Sequence, residues 1–166
     1  MSAVILGLGS NEGDSPAILR AAIDDLRASL GALRAASMYR SAPMHVENQP
    51  EFFNTAVCGV FDGAPSSLLE TIHRIEASYG RDRTHETRWG RRSIDIDILL
   101  FGDRVICEKG ACPLRELEVP HPRLKERRFA LEPLLELDGD ARDPLSGERY
   151  ADICARLGDQ GVVRIA

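Results

Sequence analysis

Strand-like runs at 4–9, 33–40, 53–61 and 94–98 alternate with two stretches of helical periodicity in the order strand, helix, strand, strand, helix, strand. That order predicts an α+β fold: a ferredoxin-like βαββαβ core with an antiparallel sheet and helices packed on it, extended by C-terminal additions. A chain of 166 residues without repeats or low-complexity linkers is one domain by length, spanning 1–166.

Each element follows from local signals. Val4 to Gly9 reads as a short buried strand. Ser15 is the expected cap of a helix from Pro16, with Ile18, Leu19, Ala22, Ile23, Leu26 and Leu30 as its inner stripe. A second strand is expected over Leu33 to Arg40. Ser41 to Pro50, with two prolines and mostly polar residues, reads as a long loop, and Phe53 to Phe61 resumes strand character. Gly63-Ala64-Pro65-Ser66 opens a helix with Leu68, Leu69, Ile72 and Ile75 on its apolar side, ending near Gly80. From Phe129 the pattern predicts a short apolar helix, a turn at Pro144 to Gly147 and a final helix near Tyr150 to Leu157.

Composition narrows the function classes. Hydrophobic residues make up 43% of the chain, but no apolar run approaches the roughly 18 residues of a membrane span. Met1 to Gly9 lacks the basic start of a secretory signal, so a cytoplasmic protein is expected. Cys58, Cys107, Cys112 and Cys154 form no C-x-x-C pair and read as reduced thiols, Cys58 in the core. The net charge of -5 hides two basic segments, 81–92 and 123–128, each +3. Overall acidity argues against a nonspecific nucleic-acid binder, whereas compact basic segments suit a small polyanion such as a nucleoside triphosphate.

The segment Arg88 to Leu100, RWGRRSIDIDILL, carries the most chemistry. Alternation in Ile94-Asp95-Ile96-Asp97-Ile98 sends the isoleucines to the core and places both aspartates on one face, roughly 6.5 Å apart at Cα. Two carboxylates so spaced can hold hard cations, magnesium above all, while Arg88, Arg91 and Arg92 offer charged forks for phosphate oxygens. The competing reading is a solvated acidic edge with salt-bridged arginines. Gly7-Leu8-Gly9 with Gly13 lacks dinucleotide-fold spacing and reads as a tight turn with close backbone packing. No Walker loop exists, so a triphosphate must be met by arginines and metal.

Three smaller features join it. His73 and Glu76 lie three apart on one helical side, near enough to act together on a nucleotide or metal. His121 stands between two prolines, which fix its backbone. In Gln49-Pro50-Glu51-Phe52-Phe53-Asn54, Phe52 and Asn54 share a strand face, suiting one aromatic for stacking and one amide for reading a flat heterocycle.

Gln49 to Asn54, R-W-G-x-R-x-x-D-x-D and Val119 to Phe129 together resemble the 6-hydroxymethyl-7,8-dihydropterin pyrophosphokinase family of folate biosynthesis, from the G-x-G-S-N start onward. The resemblance implies transfer of the pyrophosphoryl group of ATP to the pterin hydroxymethyl, with AMP released. It implies two Mg2+ ions on Asp95 and Asp97, with Arg81, Arg83, Arg88 and Arg92 meeting the triphosphate and Trp89 closing over it. Arg81, Arg92, Asp95 and Asp97 would be catalytic. His73, Glu76, Ile98, His121 and Arg127 would lie along the ATP site. Phe52 and Phe129 would sandwich the pterin, Asn54 would bond its ring, and Ser41, Ala42 and Met44 would border it. Small-molecule substrates, no nucleic acid, no membrane and a monomer are the implied partners and state. Arg91 stands where the family pattern has proline, His73 where an amide is common, Pro122 where an aromatic can sit, and Phe52 lacks a tyrosine hydroxyl.

Overall fold

The structure, a computed structural model, describes residues 1–43, 49–81, 92–109 and 116–165. The long first strand β1 (Ser2–Ser10) lies between β4 (Phe52–Phe61) and β5 (Asp95–Phe101), antiparallel to both. The sheet runs β5-β1-β4-β3-β8, with β2 (Gly31–Ala35) also paired to β4. β3 is Tyr39–Ser41 and β8 is Val163–Arg164. The expected single strand from Leu33 to Arg40 is therefore two. The register slips between Gly31 and Arg34, around Ala32 at φ 50°, and the second segment rejoins β4 at Tyr39.

Helices cover both faces. α1 (Ser15–Arg27) and α2 (Pro65–Ser78) pack on the face formed by Val4, Leu6, Leu8, Val57, Ile96 and Ile98. α3 (Arg128–Leu137) and α4 (Tyr150–Arg156) cover Ile5, Ala56, Leu99 and Leu100 on the other. Leu131 and Leu134 of α3 are completely buried there, each worth about 1.5–3 kcal/mol of apolar transfer. Placing the tail helices on the face opposite α1 and α2 is what makes a walled cavity out of a sheet surface.

Local chemistry differs from expectation at several points. Asp14, not Ser15, caps α1: its Oδ1 accepts from the Ala17 amide at 3.1 Å, while Ser15 is buried and accepts from the Ser10 hydroxyl at 2.8 Å. The shorter reach of an aspartate one residue earlier satisfies the orphan amide. Cys58 is half-buried and Cys154 is the buried thiol, because the former sits on the rim of the α3 layer and the latter inside α4. A hairpin of β6 (Ile106–Glu108) and β7 (Leu117–Val119) also forms, with Val119–Pro120 cis. No helix among the described residues is long and apolar enough to cross a membrane.

The alternation of β5 is interrupted at Leu99. Leu6 pairs with Ile98 and Ile5 with Leu100, so one extra residue is accommodated between them. Asp95, Asp97 and Leu99 thus share a face, and Phe101 returns to the α1/α2 side.

β3, α3 and β8 are joined by one carboxylate. Glu136 Oε1 accepts from the Ser37 amide at 3.0 Å and hydroxyl at 2.8 Å, and Oε2 accepts from the Tyr39 hydroxyl at 2.8 Å. Arg164 reaches it at 3.3 Å. Burial works to raise the Glu136 carboxyl, but these donors outweigh it and hold it below its ordinary value; burial and Glu136 push the Tyr39 phenol up to about 12. A depressed carboxyl adds stability above its unfolded value and loses it as pH falls through the folded value. Thermal unfolding of Glu136→Gln and the parent chain should therefore differ most at pH 7 and converge as pH falls through the depressed folded value; a gap independent of pH would refute the linkage.

Candidate active site

Glycine makes the floor. Gly7 and Gly9 of β1 pair with Asp97 and Asp95 on one side and with Ala56 and Asn54 on the other, and directly paired residues point to the same face. They stand in mid-strand rather than in the tight turn expected of them. A Cβ at Gly9 would come within 3.2 Å of Asn54 Oδ1, and one at Gly7 within 3.2 Å of the Leu99 side chain. Their missing side chains leave a trough between the aspartates and Asn54.

Walls rise from neighbouring elements. Ser41, Ala42 and Pro43 after β3, Gln49 and Phe52 before and in β4, and Arg127, Phe129 and Ala130 at the start of α3 line one cavity with Asn54, Arg92, Asp95, Asp97 and His121. Asn54 is buried, and its Nδ2 donates to Ser41 Oγ at 2.9 Å. Phe52 faces this cavity while Phe53 packs into the opposite core, as the strand alternation predicts. The Arg127 guanidinium lies 5.7 Å from the centre of the Phe129 ring, within cation–π range.

A second groove follows the outer edge of β5. It is lined by Leu69 and His73 of α2, Ile96 and Ile98 of β5, the β6–β7 hairpin and Pro122. The edge is engaged at Ile96, whose amide donates to Glu76 Oε1 at 2.8 Å, and at Leu99, whose carbonyl accepts from the His121 amide at 3.2 Å. Ile98 lies between these two points. Asp97 and His121 line both the groove and the cavity. A molecule in each would meet its neighbour there.

Charge is arranged in a relay behind and beside that junction. Arg81 Nη1 donates to Glu76 Oε1 and to Asp95 Oδ1, both at 2.5 Å, and Arg92 Nη1 donates to Asp95 Oδ2 at 2.5 Å. The Arg81 and Glu76 side chains are 3% and 2% exposed, so the pair is withdrawn from solvent. Asp97 is different. Its Oδ2 lies 3.7 Å from His121 Nε2 and 3.8 Å from Arg127 Nη1, outside hydrogen-bond length, and its side chain is 33% exposed. Burial raises the Asp97 carboxyl, the Asp95 charge raises it further, and His121, Arg127 and Arg92 recover only part. Burial likewise lowers the Arg127 guanidinium against the pull of Asp97. His121 Nδ1 accepts from the Arg123 amide at 3.2 Å. A ring nitrogen that accepts leaves the proton on Nε2, aimed at the junction.

Residues 5–139 match the profile of the 7,8-dihydro-6-hydroxymethylpterin-pyrophosphokinase family. The chain belongs to that pyrophosphokinase family. It is 36% identical to the 2-amino-4-hydroxy-6-hydroxymethyldihydropteridine pyrophosphokinase of Methylorubrum extorquens over 99% of each chain. It is 40% identical to the enzyme of that name from Bacillus subtilis, over 80% of this chain and 75% of that one. The crystal structure of Plasmodium falciparum HPPK-DHPS with pteroate shares the fold at a TM-score of 0.76 and 15% identity, covering 93% of this chain and 44% of that one. The pyrophosphokinase profile runs from β1 into the loop after α3, so it includes every element that lines the cavity and the groove.

Within the family frame, the structure gathers Ser41, Ala42, Phe52, Asn54 and Phe129 in the cavity, His73 and Ile98 in the groove, and Arg92, Asp95, Asp97, His121 and Arg127 at or beside the junction. Glu76 lies under β5, and Arg81 reaches inward to Glu76 and Asp95, so the two charges are buried as a pair behind the junction. Met44, Arg83, Arg88, Trp89, Arg91 and Cys112 lie outside the described residues. The β6–β7 wall leaves only a faint sign in the sequence, the alternation in Leu117-Glu118-Val119. Gly7 and Gly9 carry no side chain, so their spacing in the sequence shows only a backbone device and not a cavity floor.

The junction suits a hard divalent cation. Asp95 and Asp97 supply carboxylate oxygens on one strand face, and among the described residues no group of three or more His, Cys, Asp or Glu gathers at one point. Magnesium asks for one or two carboxylates and completes its shell with water and phosphate oxygens. The raised Asp97 carboxyl marks a place where positive charge is wanted.

Proposed function

We propose that this chain transfers the pyrophosphoryl group of ATP to 6-hydroxymethyl-7,8-dihydropterin, forming the pterin diphosphate and AMP for folate synthesis. The observation that carries the reading is the junction itself: a flat aromatic cavity and an edge-strand groove share Asp97 and His121. The pterin would lie between Phe52 and Phe129 with Asn54 on its ring edge. The nucleotide would follow β5, its base near His73 and Ile98, bringing its β-phosphorus to the cavity mouth.

Two magnesium ions held by Asp95 and Asp97 would neutralise the phosphates and orient the attacking oxygen. The chain's own part is positional. Arg92, Arg127 and the His121 Nε2–H donate to phosphate oxygens, while Glu76 and Arg81 hold Asp95 in place from behind. The pterin hydroxyl oxygen bonds to the β-phosphorus as the bridge to the α-phosphate breaks in line; AMP carries the bond electrons away and the hydroxyl proton passes to water. Among the described residues of the motifs none is an obvious strong base, so orientation and charge stabilisation supply the rate.

The sheet order β5-β1-β4 followed by β2 and β3, with α1 and α2 on one face, supports a ferredoxin-like core extended by α3, α4 and β8. A monomer is the proposed working unit, and a cytoplasmic one given its small soluble substrates. Incubation with Mg-ATP and the reduced hydroxymethyl pterin should yield AMP and pterin diphosphate in equal amounts. ADP or inorganic pyrophosphate as the product would overturn the proposal in favour of another phosphoryl or nucleotidyl transfer.

A further inference from the structure

Asn11, the last residue of the G-x-G-S-N start, carries a role that the reaction above does not use. It directly follows β1 and is 2% exposed. Its Oδ1 accepts from the Arg92 amide at 2.9 Å, and its own amide donates to the Arg92 carbonyl at 3.1 Å. Its Nδ2 donates to Gln49 Oε1 at 3.0 Å and to the Pro50 carbonyl at 3.4 Å. The orientation of the side chain is settled by its partners, since the Arg92 amide can only donate and the Pro50 carbonyl can only accept.

One planar amide therefore ties together the ends of two separate connections, the one entering β4 and the one entering β5. On the first side Gln49 lines the cavity and Pro50 lies two residues before Phe52. On the second, Arg92 is fixed at its backbone while its guanidinium grips Asp95. Rotating the amide to follow one side breaks its bond to the other. We infer that Asn11 is a positioning residue that holds the aromatic cavity and the arginine–aspartate junction in register, so that binding at one subsite is coupled to the geometry of the other. This rests on the assignment of the cavity to a pterin and the junction to ATP phosphates.

Two variants separate the arms. Asn11→Ala removes both, whereas Asn11→Asp keeps an acceptor for the Arg92 amide and sets a carboxylate against the Pro50 carbonyl. Steady-state KM for each substrate, and pterin affinity with and without magnesium and α,β-methylene-ATP, give the readout. Asn11→Ala should lower kcat/KM by about 10²-fold, the scale of a misplacement near 1 Å, and bring the effect of the nucleotide on pterin affinity toward none. Asn11→Asp should raise the pterin KM by about 10-fold, within the usual range of coupling energies, with the ATP KM changed less than about 2-fold. Variants that lower the unfolding temperature but leave both KM values at wild type, or an Asn11→Asp that shifts both KM values alike, would overturn the inference. Amide exchange in the ligand-free protein keeps the test independent of the functional reading: the Arg92 amide should exchange faster in Asn11→Ala than in Asn11→Asp. Equal exchange in the two variants and the parent would refute the bridge even if the pterin assay shows no turnover at all.

Discussion

Asp97→Asn lowers turnover by about 10²-fold or more, the scale seen when one preorganised electrostatic group is removed from a phosphoryl or acyl transfer site, without lowering the unfolding temperature at pH 7. The two halves of this prediction have one cause. Asp97 keeps its oxygens beyond hydrogen-bond length from His121 and Arg127, and burial with the Asp95 charge raises its carboxyl. A carboxyl whose folded value is raised costs stability once pH climbs through its unfolded value, so the anionic form of Asp97 is the one the fold disfavours. Asparagine keeps the shape and removes that cost, but gives up the anion that would meet magnesium. The check is AMP release in the pyrophosphokinase assay beside thermal unfolding at pH 7. Full activity, or activity lost together with the fold, would dismiss Asp97 as a metal-facing group.

Glu76→Ala has the opposite signature, destabilising the chain by about 3–5 kcal/mol, the usual cost of breaking a buried ion pair by removing one partner. Glu76 Oε1 takes both the Arg81 guanidinium and the Ile96 amide. Its loss strips two buried donors of this acceptor and unseats the arginine that steadies Asp95. Turnover should fall as a consequence, through Asp95, with kcat affected more than the KM for ATP. Denaturant unfolding and the two kinetic constants decide the matter: an unchanged unfolding midpoint with a raised KM for ATP would return Glu76 to the nucleotide contact that family resemblance suggests.

The contrast between these two carboxylates shows where reading a sequence succeeds and where it stops. Asp95 and Asp97 were legible because a strand has period two, and five alternating residues assign faces without any knowledge of the partners. Phe52 and Asn54 were legible for the same reason. Glu76 was not, because position on a helix face says which neighbours share that face but not which element covers it. The split of the second strand was hidden because Ala32 departs from strand conformation for reasons of pairing with β4, not of propensity. Asp14 and Ser15 are both good caps, and only the burial of Ser15 against Ser10 decides between them.

Periodicity and composition by themselves determined the alternation of strands and helices, the outward face of the two aspartates, the shared face of Phe52 and Asn54 and the concentration of arginine beside them. These are properties of a few adjacent residues obeying backbone geometry. Tertiary structure alone decided that glycines of β1 floor the cavity, that α3 roofs it, that the paired strands β6 and β7 wall the groove, and that Asn11 joins two connections distant in sequence. Each of those depends on which elements come to lie side by side, a quantity fixed by burial of whole faces rather than by any local run.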